Sequence, residues 1–148
     1  MGIADYPAPA GGCLLTDKAF SQRLKDLFDH QKGYDERDLH LLKFGRHFRL
    51  DPLVKVIVGR TEADSLQIAK LYDPKTDLLC NLVKIPGPVV LVPGGCSREQ
   101  ELLAATICAS YGKAPKEMSV DVYVKTVRKR EKVQVIPVPS STFQQFLI

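Results

Sequence analysis

Val120-Asp121-Val122-Tyr123-Val124-Lys125, followed after a basic turn by Lys132-Val133-Gln134-Val135-Ile136-Pro137-Val138, is the stretch that decides the fold. In an extended chain successive side chains point to opposite faces, so Val120, Val122 and Val124 share one face while Asp121, Tyr123 and Lys125 share the other. The valine face is core. The second face sets an aromatic beside a cation, which suits a base stacked over a phosphate contact. The strand by itself favours the plainer reading, an ordinary outward-facing pair on an antiparallel strand.

Working upstream, Ser97 is placed to cap a helix from about Arg98 to Tyr111, with Glu99 and Glu101 at its positive end and Gly112 as its stop. Leu103, Ile107 and Tyr111 recur at successive turns, and the alanines between them permit close packing. Before this helix, the runs Leu78 to Ile85 and Val89 to Val92 flank Pro86-Gly87-Pro88 and are predicted to form a hairpin of two short strands. Leu53 to Val58 is a further β-rich run, ending at Gly59-Arg60, after which Thr61-Glu62-Ala63-Asp64 opens a helix through about Leu71.

The N-terminal third reads differently. Phe20, Leu24, Leu27 and Phe28 recur at helical spacing, which predicts a helix over residues 17–31 with that stripe as core and Gly33 near its end. A short helix follows Asp35 as cap, burying Leu39, Leu41 and Leu42, and Gly45 closes it. Arg46-His47-Phe48-Arg49-Leu50 then alternates as a half-buried strand, with Arg46 and Arg49 toward solvent and a break at Asp51-Pro52.

At 148 residues and 45% hydrophobic content the chain can bury one core or two thin layers that share an interface. No run approaches the ~18 apolar residues of a membrane span, and the N-terminus has no basic region followed by an apolar core, so the expected compartment is the cytoplasm, with no membrane partner. Cys13, Cys80, Cys96 and Cys108 are far apart, and His30, His40 and His47 complete no metal spacing, so free thiols are expected and no metal site.

The net charge of +4 is unevenly placed. Residues 1–52 hold eight Lys/Arg against eight Asp/Glu, residues 53–112 hold six against six, and residues 113–148 hold seven against three. The whole excess therefore sits in Lys113, Lys116, Lys125, Arg128, Lys129, Arg130 and Lys132, dense enough to attract phosphates by charge. A soluble hairpin end would carry the same charges.

Two glycine-flanked cysteines stand out. In Gly11-Gly12-Cys13-Leu14-Leu15-Thr16-Asp17 the glycines free the backbone and Thr16 or Asp17 can cap the following helix, whose positive end would favour thiolate at Cys13. A small buried residue in an entry turn gives the same pattern. In Gly94-Gly95-Cys96-Ser97 the backbone N–H groups could hold a phosphate oxygen, although a glycine turn feeding a capped helix explains the residues as well.

These residues carry two resemblances. Val56-Ile57-Val58-Gly59-Arg60, then Pro86-Gly87, Val89-Val90-Leu91-Val92, the helix Leu102 to Tyr111, Gly112-Lys113-Ala114 and Val120-Asp121-Val122-Tyr123-Val124-Lys125, resemble the RNA-binding domain of the NFACT family over residues 53–139. The family's Asp-Leu-Trp-Phe-His stands here as Asp77-Leu78-Leu79-Cys80-Asn81, and its Pro-Gly-Ser-His as Pro86-Gly87-Pro88-Val89, which removes the Trp, the Phe and both His from this hairpin. Over roughly residues 5–50, Gly11-Gly12-Cys13-Leu14-Leu15 with Phe20 and Leu24 is similar to the tail end of PP-loop tRNA thiouridine synthases, a family also filed under thiamine biosynthesis. That resemblance implies a catalytic Cys13 that carries or attacks persulfide sulfur. It also implies ATP on a PP-loop domain, present in cis or in trans because the Ser-Gly-Gly-x-Asp-Ser motif is absent here, and a separate sulfur donor protein.

The sequence thus predicts an α+β chain: a helical segment over residues 1–52, then a mainly antiparallel sheet with two longer helices over residues 53–148. The expected function is binding tRNA as the accessory domain of a tRNA 4-thiouridine or 2-thiouridine synthase, inactive alone and without a cofactor of its own. Arg46, Lys125, Arg128, Lys129 and Arg130 are expected to anchor phosphates and Tyr123 to stack a base. The rival is a protein-interaction module that docks a partner enzyme through apolar surface, and a self-contained enzyme would need a base or metal beside Cys13.

Overall fold

The structure, a computed structural model, describes residues 18–31, 33–113 and 118–148. It divides into two units, the first reaching Lys43 and the second running from Phe44 to Leu147. The first β-strand, Arg46–Asp51, therefore falls in the second unit.

In the first unit α1 spans Lys18–His30 and α2 spans Glu36–Leu41. Asp35 caps α2 through a reciprocal box with Asp38, as its position before the helix predicts. Leu27, Leu41 and Leu42 are buried, and the Arg23 guanidinium donates to the Leu42 carbonyl at 3.0 Å. The apolar stripe of α1 is narrower than its spacing suggests. Phe28 is 51% exposed, its ring meeting that of Tyr34 at 5.2 Å, and Leu39 of α2 is also exposed.

The second unit is built on six antiparallel strands: β1 (Arg46–Asp51), β2 (Val54–Val58), β3 (Leu78–Leu82), β4 (Val90–Val92), β5 (Val120–Lys125) and β6 (Arg130–Val135). Their order across the sheet is β1-β2-β4-β3-β5-β6. Two helices, α3 (Glu62–Lys70) and α4 (Arg98–Ser110), and a 3₁₀ helix at Ser140–Phe146 complete it. This is the α+β class that the patterning implies.

Each sheet face has its own cover. Helix α4 lies across β3, β4, β5 and β6, where Leu78, Cys80, Val90, Val92, Val122 and Val124 meet Ala104, Ala105, Ile107 and Ala109 in one core. The alanines bring helix and sheet close, and each Val or Leu fully removed from water there stabilises the fold by about 1.5–3 kcal/mol. Ser97 caps α4 in a reciprocal box with Gln100, and the Gln100 amide also reaches the Asp51 carboxylate, tying the helix start to the β1–β2 turn. On the opposite face α3 covers β4. The Ser65 hydroxyl accepts from the Val89 N–H, and Ile68, Ile57 and Leu91 are fully buried. All of β2 is buried, which explains its unbroken apolar run.

Several boundaries differ from the sequence reading, with β3 ending at Leu82 rather than Ile85 and β6 at Val135 rather than Val138. Leu53 is 88% exposed in the β1–β2 turn, so β2 starts at Val54. Strand β6 starts at Arg130, since Arg130 pairs with Lys125 and Glu131 with Val124, leaving a turn of only Thr126 to Lys129. Both early residues of β6 are charged, so alternation could not reveal them; Glu131 is held on the helix side by Arg98 of α4.

Candidate nucleic-acid interface

The β5–β6 hairpin is shaped by its turn. The Thr126 N–H donates to the Lys129 carbonyl at 2.7 Å, and the Thr126 hydroxyl accepts from the N–H groups of Arg128 and Lys129 at 3.3 Å each. A threonine that accepts from residues just beyond it fixes a tight turn. The backbone thereby divides the basic cluster. Arg128 and Lys129 lie in the turn itself, whereas Lys125, Arg130 and Lys132 sit on strands.

On the strands, the face turned away from α4 carries Tyr123, Lys125, Arg130 and Lys132. Tyr123 is opposite Lys132 on β6 and Asn81 on β3, and Lys125 is opposite Arg130. The Arg130 guanidinium carbon is 4.2 Å from the Tyr123 ring centroid, and the Lys125 ammonium is 5.6 Å from that of Tyr72. Tyr72 follows α3, and sequence spacing gave no signal for its place here. Its buried hydroxyl has no hydrogen-bond partner among the described residues, and burial pushes its pKa above the ordinary value, so the ring stays neutral. Two cations poised over two tyrosines leave flat, positively charged surface where no helix covers the sheet.

At the turn, Lys129 meets the Glu131 carboxylate at 3.2 Å, and Arg98 joins the same carboxylate from α4. Arg98 first, then Lys129, hold the Glu131 carboxyl below its usual range. Arg46 is not part of this group. It stands on β1, at the far edge of the sheet from β6, with its guanidinium carbon 5.1 Å from the ring centroid of Tyr111. Cys13 lies outside the described residues.

The remaining thiols are structural in character. Cys80 on β3 and Cys108 on α4 are buried where helix and sheet pack, and burial pushes the Cys108 thiol up to about 12 and the Cys80 thiol well above its ordinary value. Cys96 is half-buried, and burial, reinforced by Glu101 and Asp51, pushes its thiol up to about 12 as well. Among the described residues no group of three His, Cys, Asp or Glu side chains is placed to hold a metal ion, and no helix is long and apolar enough to cross a membrane.

Comparison with known families finds that residues 45–147 match the model of the NFACT protein RNA-binding domain. The chain belongs to that family. The match takes in the whole sheet from β1 to the 3₁₀ helix, so the NFACT RNA-binding domain here includes Arg46 and the Asp51-Pro52 break. Among solved structures, the C-terminal part of the fibronectin/fibrinogen-binding protein from Streptococcus suis shares the fold, with a TM-score of 0.61 at 16% identity. The likeness covers 84% of this chain and 59% of that one, so the chain spans less than two thirds of that structure. No curated protein matches the sequence. The family gives the domain a partner class, RNA, which charge alone left open.

Proposed function

We propose that the domain binds tRNA through the uncovered face of β5 and β6, where bases stack on the Arg130–Tyr123 pair and phosphates meet Lys125 and Lys132. The observation that carries this reading is the guanidinium 4.2 Å over the Tyr123 ring, beside two further cations on a sheet face that α4 does not cover. Arg128 and Lys129 extend the positive surface past the end of the hairpin, and Arg46 on the opposite edge serves as a separate, outlying phosphate contact. In the same proposal residues 1–44 are the helical tail of a thiouridine-synthase-like catalytic region, joined to the RNA-binding part matched at residues 45–147. ATP is supplied by a PP-loop domain, sulfur by a donor protein, and Cys13 is the sulfur-handling thiol. Support for that context is the sequence similarity around Gly11-Gly12-Cys13.

Salt tests the reading against docking of a protein partner. Phosphate-dominated binding of tRNA weakens steeply as salt rises, whereas an apolar protein interface responds little. Binding of tRNA with no salt dependence, or no binding at low salt, would overturn it.

A further inference from the structure

The division of the basic cluster leaves Arg128 and Lys129 facing a different part of the molecule from Arg130. On the helix side of the sheet, a cleft of about 540 Å³ lies between the Thr126 to Lys129 turn, the Gly94-Gly95-Cys96 loop and the first turn of α4. That volume falls within the ~300–1,000 Å³ usual for small-ligand pockets and accommodates one nucleotide.

Its lining is built rather than incidental. The Asp77 carboxylate is 1% exposed and accepts from the Asp73 N–H, the Thr76 hydroxyl and the Gly94 N–H, each at 2.9 Å, so it braces the loop and does not project a charge into the cleft. Gly94 and Gly95 both adopt positive φ, 79° and 77°, which side chains rarely do. A Cβ on Gly94 would meet nothing within 4 Å, so the main chain there borders open space that a ligand can reach. Glu101 is paired with Arg98, and Lys129 and Arg98 share Glu131. The Arg128 guanidinium is exposed and has no ion-pair partner among the described residues. Cys96 and buried Leu78 supply a neutral wall.

Unpaired positive charge, bare glycine backbone and a neutral wall together suit a ligand with one anionic end and one flat, weakly polar end. We propose that this cleft holds one phosphate-bearing nucleotide of a bound RNA strand, its phosphate at Arg128 and its sugar and base over Gly94-Gly95 and Cys96. This rests on the RNA-binding reading and adds a second contact on the other side of the sheet, so a strand on the Tyr123 face would turn over the hairpin tip to reach it.

The test uses the full chain, ¹⁵N-labelled, titrated with uridine 5′-monophosphate, uridine and inorganic phosphate while amide shifts are followed, with tRNA binding measured in parallel. The expected result is saturable shifts at Gly94, Gly95, Cys96 and Arg128 with the monophosphate. Uridine and phosphate should each bind about tenfold more weakly, and Arg128→Ala should weaken the monophosphate by a similar factor. Arg128 is exposed in a turn, so its loss leaves folding intact and the same spectra verify it. Shifts confined to the Tyr123 face, no shifts, or equal binding of bare phosphate would overturn the proposal, even if salt-sensitive tRNA binding persists and upholds the broader reading. Saturable filling of the cleft by the monophosphate without any tRNA binding would overturn the proposal together with the RNA reading on which it rests.

Discussion

Arg130 occupies one face of the Tyr123 ring, its guanidinium carbon 4.2 Å from the ring centroid, so the pair presents a planar cation backed by an aromatic. In the proposed complex a base stacks on this guanidinium, which the tyrosine ring holds flat.

Because the two residues act as one stack, Tyr123→Ala should weaken tRNA binding by about 1–3 kcal/mol, and Tyr123→Phe should stay close to wild type. The double substitution with Arg130→Ala should cost less than the sum of the single losses. Fluorescence anisotropy at fixed salt measures all of these affinities, and strictly additive losses would show that the two residues act independently.

Replacing Lys125, Arg128 and Lys132 together with Ala should flatten the dependence of log affinity on log salt by roughly two to three units, just under one for each phosphate left without its cation. An unchanged slope at preserved folding would place the main electrostatic contact elsewhere.

Asp77→Ala strands three donors, the N–H groups of Asp73 and Gly94 and the Thr76 hydroxyl, in a region where the carboxylate is almost fully buried. Urea unfolding should show a loss of roughly 2–4 kcal/mol. A change below about half a kcal/mol would mean that water replaces the carboxylate without penalty.

The buried thiols set an alkaline limit. Burial raises Cys108 to about 12 and Cys80 well above its ordinary value, while an unfolded thiol titrates near ~8.5. Above that pH the native state keeps protons that the unfolded chain has lost, so stability is complete below about pH 8.5 and falls as pH rises toward the folded value. The slope approaches about 1.4 kcal/mol per pH unit for a fully buried thiol such as Cys108, and Cys96 adds the same sign at reduced size because it is partly exposed. Urea midpoints at pH 8, 9 and 10 check this, and Cys108→Ala should flatten the trend.

Thiol labelling near neutral pH addresses Cys13. Cys80, Cys96 and Cys108 should alkylate slowly in the native protein, because their raised pKa values keep them as thiols. One fast-reacting thiol at Cys13 is the expected pattern, and in the reconstituted sulfurtransferase Cys13→Ser should abolish sulfur transfer while tRNA binding persists. Fast labelling of Cys96 ahead of Cys13, or undiminished thiouridine in the mutant, would count against a functional Cys13.

The sequence by itself determined what local chemistry controls. Asp35, Thr61 and Ser97 cap the helices that follow them, because a capping side chain needs only the backbone three residues ahead. The alternation of Val120, Val122 and Val124 settled which face of β5 is core, and the charge excess after residue 112 pointed to the hairpin that carries the cations. Strand order was not local. Placing β4 between β2 and β3, and β1 at the edge farthest from β6, depends on how apolar faces are buried together, and it separates Arg46 from the other basic residues. Tyr72 reaches Lys125 only because the chain leaving α3 and the end of β5 meet in space, and Arg128 parts from Arg130 because Thr126 closes the turn at Lys129, one residue before the strand resumes. Contacts between residues far apart in the chain exist only after loop closure and core packing have been satisfied together, and no window of neighbouring residues records that balance.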